Sequence, residues 1–367
     1  MHSQLTRIRL AAAVALALPA LAGAASPGDP PAAQAQAAHA VTAYVVTSGA
    51  VTPINTATNK AGAAIPTGGS AHMVITPNGK TVYADGFSGG APAVIPISTA
   101  TNKAGAAIFG ARVISALAVT PDSKTLYVAD QDSNQLIAVS TATNKAVAFV
   151  PTGEVPVAVA ITPNGASGYV ADNGDNTATP FTVATNTAGG LIKVGSGPLL
   201  VAITPDSKTA YIGEAGIVTP IRTATNKALK PVSVGAGTGA IAITPDSKTA
   251  YVVTSNRGVT PINTATNKPG KVIKVLGSAI AITPNGATAY VLASSGTVTP
   301  ISTATNKPGK PISVGTNAAG IAITPNGKTA YVTSNAGVTP ISTATNKPGK
   351  LIKIPGGASL IVIGKTP

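Results

Sequence analysis

Eight copies of one short pattern restrict this chain to a small set of folds. Ala240 to Val253 reads AIAITPDSKTAYVV: an apolar run, a Thr-Pro-Asp-Ser-Lys break, and a second apolar run carrying a tyrosine. Close variants start at Met73, Leu117, Val201 and Ile321. The eight tyrosines, Tyr44, Tyr83, Tyr127, Tyr169, Tyr211, Tyr251, Tyr290 and Tyr331, all lie in this pattern, at steps of 39 to 44 residues. A period near 40 is that of a blade or an array unit, so each unit has to bury its apolar face against the next. A second stretch, Thr-Ala-Thr-Asn-Lys, recurs seven times, with a degenerate copy at Val183 to Thr187.

One unit reads as four short strands, a to d, of small and β-branched residues between turn signals: Ala240–Thr244, Thr249–Val253, Gly258–Asn263 and Lys271–Val275. Thr244-Pro245-Asp246-Ser247 has the chemistry of a type I turn between a and b, and Asn267-Lys268-Pro269-Gly270 is expected to turn c into d. The chain enters the repeat at Val41 with b, c and d, and Ser359 to Ile363 supplies a last strand a. Such a permutation hides sheet edges only in a ring, where the last strand joins the first unit. The expectation is an all-β fold, a β-propeller of eight four-stranded blades closed by the C-terminal strand. Seven blades, with the degenerate unit outside the ring, is the alternative. The complete units are numbered 1 to 7 from Met73, and the shared one is the closing blade.

The Tyr-Val-x-[Thr/Asp/Ser] strand, the Thr-Pro-[Asn/Asp]-[Gly/Ser] turn and the Thr-Ala-Thr-Asn-Lys hairpin together resemble the YVTN-family β-propeller repeat, over Val41 to Ile363. The resemblance implies a secreted or cell-surface propeller, and it makes a lactonase-like enzyme conceivable. The chain departs from the family in strand c, which reads Val-Thr-Pro-Ile where the family usually has Val-Ile-Asp. Proline cannot donate to a ladder, so a bulge or a missing bond is expected at Pro53, Pro96, Pro180, Pro220, Pro261, Pro300 and Pro340; blade 2 has Ala138 instead.

Residues 1–25 carry Arg7 and Arg9, an apolar run from Leu10 to Leu21 and Ala22-Gly23-Ala24, the order of a secretory signal peptide. The run is shorter than the roughly 20 residues of a membrane span and contains Pro19. Residues 26–40, rich in Ala, Pro and Gln, read as a linker, and 41–367 as the propeller domain. With no cysteine there are no disulfides, so stability has to come from packing and strand pairing. With only eight Tyr and four Phe, that packing rests on Val, Ile and Ala.

The formal charge is +14. In an up-down blade the a–b and c–d turns share one face, and that face receives the repeat lysines, from Lys60 and Lys80 round to Lys347. They either keep a Val-rich exported protein soluble or bind polyanions such as cell-wall polymers; nucleic acid is disfavoured because no aromatic residues lie among them for base stacking. The opposite face, of b–c and d–a loops, is where single units depart from the repeat. Asp130, Asp172 and Glu214 stand three residues after their tyrosines, and Asp85, Asp132, Asp175 and Glu154 lie close to them in sequence, predicting an acidic arc. Asp130-Gln131-Asp132-Ser133-Asn134 has part of a calcium-loop spacing, but Gln135 occupies the place of the required Gly and no Glu follows.

Catalytic inventory is sparse. After the first 25 residues only His39 and His72 remain and there is no Cys, so a triad would have to use His72 as base. His72, beside Arg112 and the acids, forms the candidate ligand set on the loop face of blades 1 to 4. The sequence reading is therefore a secreted or cell-wall-associated, non-enzymatic binding or scaffold module. Its expected partners are cell-wall polyanions or a protein, and no cofactor is expected beyond a possible calcium ion. The alternatives are a lactonase-like enzyme with an axial site and an envelope or adhesion component with a polyanion-binding lysine face.

Overall fold

The computed structural model describes residues 41–365; the signal-peptide and linker readings lie outside the described residues. Eight antiparallel sheets follow one another in chain order, each built in the order a-b-c-d. This is an eight-bladed β-propeller, and it excludes the seven-bladed alternative. Adjacent blades touch chiefly through their a strands, which therefore surround the axis, while d lies at the rim. Closure is as expected: Ile361–Lys365 pairs with Val41–Thr47, with Tyr44 opposite Val362, and Ser359 and Leu360 extend the pairing to Val46.

Alternation along each strand puts one side chain row against the preceding blade and the other against the following one. The result is a core divided into seams, such as Tyr83, Val94, Leu117, Leu126 and Ile137 between blades 1 and 2. As the composition requires, Val, Ile and Ala fill these seams, with one buried tyrosine in each blade. Blade 3 shows how local the fit is. Phe181 replaces the usual Ile and packs against Tyr127 with ring centroids 4.8 Å apart and planes tilted by 58°, and a Cβ on Gly168 would sit 2.2 Å from the Phe181 ring.

The a–b turn forms as read: Ser247 N donates to Thr244 O at 2.8 Å, and the Thr244 hydroxyl bonds the Asp246 carboxylate at 2.6 Å. The c–d turn sits three residues earlier than expected, at Thr264 to Asn267, and Lys268–Pro269 already belongs to strand d, with Lys268 opposite Asn263. The reason is Asn267, which takes the left-handed conformation (φ 53°) that ends the bend. Strand d at Lys271–Val275 is likewise reduced, to a single bridge between Ile273 and Val259.

The prolines of strand c leave the b–c ladder in register; Tyr44 faces Pro53 and Tyr251 faces Pro261 without a shift. The N and O atoms of a strand residue point to the same neighbour, and here Pro53 O accepts from Gly62 N on the d side at 2.8 Å. The missing donor therefore faces strand d. There the bulge is found: Ile54 pairs with Ala61 but Val51 with Ile65, so d spends one extra residue opposite the proline. Blade 2, expected to escape because it has Ala138, carries the same one-residue shift, between Ala138 and Val139, within a continuous strand d from Lys145 to Pro151; the bulge therefore belongs to the repeat and does not require the proline.

Candidate functional site

The two faces of the wheel differ in what their polar side chains do. On the turn face, each Tyr hydroxyl of strand b crosses to the next blade and donates to the Asn of its c–d turn. The pairs run from Tyr44 to Asn102 at 2.8 Å, through Tyr211 to Asn267 at 2.7 Å, to Tyr331 and Asn59 at 2.6 Å, which closes the circle over 272 residues of chain. The degenerate unit lost its lysine and kept Asn186, which receives Tyr127 at 2.6 Å. Burial pushes hydroxyls such as those of Tyr44 and Tyr83 up to about 12, so they remain protonated donors at neutral pH. The repeat pattern alone did not reveal this ring of hydrogen bonds. Its signal was present, because Tyr and Asn recur together in all eight units.

The repeat lysines and the Asp or Asn of the a–b turns are on the same face. Lys248 and Asp246 approach at 3.6 Å, and Lys208 and Asp206 at 3.7 Å, both pairs well exposed. The Thr244 hydroxyl, aided by the Lys248 backbone and charge, holds Asp246 below the usual carboxylate range. These acids are turn formers, as their replacement by Asn in other units suggests.

On the loop face the acids divide into two kinds. Asp85, Asp130, Asp172 and Glu214 are buried, and each meets the d–a loop that enters its blade. Asp130 Oδ1 accepts from Arg112 N at 3.0 Å and Val113 N at 3.1 Å. Asp85 Oδ1 accepts from Ala71 N at 2.7 Å and His72 N at 2.9 Å, and its Oδ2 lies 2.9 Å from His72 Nδ1. Asp172 Oδ2 accepts from the Thr179 hydroxyl at 2.7 Å and that of Thr177 at 3.2 Å. Its Oδ1 has no partner, and burial pushes the carboxyl up to about 7. Burial raises the Glu214 carboxyl too, and Thr219 and the Gly195 backbone beside it only partly offset this. The entering loop has to come close: a Cβ on Gly153 would lie 2.5 Å from the Thr177 hydroxyl, and one on Gly195 would lie 2.1 Å from Glu214 Oε2.

Asp132 and Glu154 are exposed, Asp175 is half-buried, and Asp175 accepts from Thr177 at 2.8 Å. The calcium expectation asked Asp130 and Asp132 to converge. They do not share a site: Asp130 is fully buried on its loop amides, while Asp132 is exposed in a single 3-10 turn, Gln131–Ser133. Among the described residues, no three His, Asp or Glu side chains gather in a metal-binding arrangement. His72 and Arg112 share the face but no hydrogen bond joins them; Arg112 is exposed and contributes its backbone N–H to Asp130. Exposed Phe87, near the end of strand b of blade 1, and exposed Phe109, in the loop that leads from blade 1 to blade 2, stand on the same side. Nothing in the pattern of apolar strands marks these two residues, because the phenylalanines of an all-β chain are expected inside.

The geometry therefore defines a class: an eight-bladed propeller with a uniform, hydrogen-bonded turn face and an irregular loop face. No family model and no curated relative matches the chain. Among solved structures, it is similar to dihydro-heme d1 dehydrogenase NirN in complex with DHE, with a TM-score of 0.73 and 16% identity, covering 88% of this chain and 75% of that one. It is also similar to a Kuenenia stuttgartiensis hydrazine synthase chain, with a TM-score of 0.61 and 21% identity, covering 76% and 96%. At these identities the likeness shows the propeller fold and nothing of the chemistry.

Proposed function

We propose that the protein is an exported YVTN-type propeller acting as a non-enzymatic binding or scaffold module, with the loop face of blades 1 to 4 as its contact surface. One observation carries this reading: on that face the repeat breaks down, and the residues that break it include exposed groups unused by the scaffold. His72 has its Nδ1 held by Asp85 and is part-exposed, and Arg112, Asp132, Glu154, Phe87 and Phe109 are exposed on the same side of the wheel. Exposed aromatic and arginine side chains of this kind serve binding more often than solubility. The lactonase-like alternative rests on the oriented His72–Asp85 pair, the one arrangement here suited to holding a general base.

The test is co-sedimentation of the purified protein with cell-wall fractions, at low and high salt, comparing the native chain with a Phe87→Ser, Phe109→Ser, Arg112→Ala variant. Loss of retention at both salt concentrations, with unchanged melting temperature, supports the loop face. Unchanged retention removes it. For the enzymatic alternative, hydrolysis of a lactone panel that disappears in His72→Ala would replace the present reading.

A further inference from the structure

Ring closure brings together two parts of the chain that are far apart in sequence, and both lack carboxylates. From Ser247 to Lys365, and on through the closing strands to Ala84, the chain carries fourteen Lys and Arg and no Asp or Glu. The remaining stretch, Asp85 to Asp246, carries nine Lys and Arg against ten Asp and Glu. Because blade order in the ring follows chain order, these stretches occupy opposite halves of the wheel. The molecule is thus polarised across its diameter as well as between its faces. The lysines of the turn face are not equivalent around the circle.

The acid-free half also carries its charge out to the rim. In blades 5 to 7 strand d repeats a Lys-Pro-Gly-Lys motif, and Lys271, Lys274, Lys310, Lys350 and Lys353 are all exposed there. The d strands of blades 1 and 2, KAGAAIF and KAVAFVP, and of the closing blade, KAGAAIP, hold no charge beyond their first lysine; blade 3 holds Lys193 alone and blade 4 one further lysine, Lys230. An open groove of about 350 Å³ runs along this rim between blades 5 and 6, lined by Lys274, Leu276, Thr297, Pro308 and Pro311. We infer that the rim of blades 5, 6 and 7, within this acid-free half, is a docking surface for a linear phosphate-rich polymer that lacks stackable bases.

The chemistry selects that partner class. Lysines three residues apart along an extended strand are spaced by roughly 10 Å, comparable to the Debye length at physiological salt, so each acts nearly alone on a small ion. A polymer engages many of them at once and gains from their number. Arg257 is the sole guanidinium of this half, so the forked geometry that holds a single phosphate is scarce. Bases would find no platform, since this half contains no phenylalanine and its tyrosines are buried. A lipid surface would need apolar side chains to insert, and among the described residues Leu276 is the single exposed large one in this half. The surface is separate from the loop face of blades 1 to 4 and stands or falls independently of it.

The experiment compares two variants of equal net charge. Lys271, Lys274, Lys350 and Lys353, all changed to Gln, neutralise the acid-free half; Lys103, Lys145, Lys193 and Lys227, all changed to Gln, neutralise the other. Binding of long-chain inorganic polyphosphate is measured at several salt concentrations, with a single-stranded oligonucleotide and anionic phosphatidylglycerol vesicles as competing probes. Expected are a tenfold or greater loss of polyphosphate affinity in the first variant, a change below about threefold in the second, and a salt slope reduced by about 3 in the first, at roughly 0.7 per lost contact. Lysine methylation of the native protein should show Lys271 and Lys350 protected by polyphosphate and Lys145 unprotected. Equal losses in both variants would overturn the inference in favour of plain net charge. Tighter binding of the oligonucleotide or of vesicles than of polyphosphate would overturn the choice of partner. The Phe87, Phe109, Arg112 variant should bind polyphosphate normally, which separates failure here from failure of the loop-face reading.

Discussion

The turn face and the loop face are made by the same eight repeats, yet one is nearly uniform and the other differs from blade to blade. On the turn face the tyrosine of each blade serves the ring in the same way: Tyr331 reaches Asn59 as Tyr44 reaches Asn102. On the loop face the residue three after the tyrosine changes identity and partner. Thr254 bonds within its own b–c turn, to Gly258 O at 2.9 Å, whereas Asp130 reaches out to the backbone of the entering loop. The difference teaches that the blade-to-blade contact repeated all round the ring, Tyr to Asn, lies on the turn face, whereas the loop face has only individual ones such as Ser115 to Pro156 O. That side, released from the repeated demand, can carry loops of different lengths, each fixed by its own buried acid or hydroxyl.

Breaking the turn face should cost most. Tyr331→Ala opens a cavity at the closing seam and is expected to destabilise by about 3 to 5 kcal/mol in denaturant titration. Tyr331→Phe, which removes only the hydroxyl, should cost about 1 kcal/mol. A similar loss in both would show that the hydrogen-bond ring, not packing, dominates. On the loop face, Asp130→Ala strips the acceptor from the Arg112 and Val113 amides and should cost about 1 to 3 kcal/mol. Hydrogen exchange at those two amides is expected to speed up while exchange in the turn-face strands does not.

Asp172 provides the pH test. Its carboxyl titrates at about 7 in the folded chain against an ordinary 3.8, so between those values the folded state binds more protons than the unfolded. Stability should therefore be greatest below about pH 4 as far as this group is concerned, and fall as pH rises towards 7. Asp172→Asn abolishes that dependence and is expected to stabilise the protein by on the order of 2 kcal/mol at pH 8, with little change at pH 4. A variant less stable than the native chain at pH 8 would contradict the burial argument. The smallest effect belongs to the exposed turn pairs: Lys248→Ala should shift stability by no more than about 0.5 kcal/mol, since its ion pair is open to solvent.

Much of this architecture was legible from the residues. Strands a, b and c fall where the apolar runs are, because a strand buried on both sides needs a run of β-branched residues and the Thr-Pro-Asp-Ser turn ends it. Strand d was the weak point. Its register depends on one extra residue opposite the middle of strand c, present in blade 2 with Ala138 as in the closing blade with Pro53, and a local reading of Lys271 to Val275 does not contain it. The candidate site was legible as a set of unusual positions but not as surroundings. Asp130 and Asp132 are two residues apart and look alike in sequence; one is buried on loop amides and the other lies in solvent. That difference is made by Arg112 and Val113, which are distant in sequence.

The amino-acid order alone determined the number of units, their four-strand form and the closure of the ring, since these follow from periodicity and from where the repeat is cut. Folding in three dimensions decided which carboxylates are buried and which tyrosine meets which asparagine. It also set the acid-free stretches at the two ends of the chain side by side. The Tyr–Asn pairs span 55 to 61 residues, or 272 at closure, and Asp85 and Asp130 meet loop amides 13 to 18 residues away; neither local propensity nor hydrophobic pattern carries information about such neighbours.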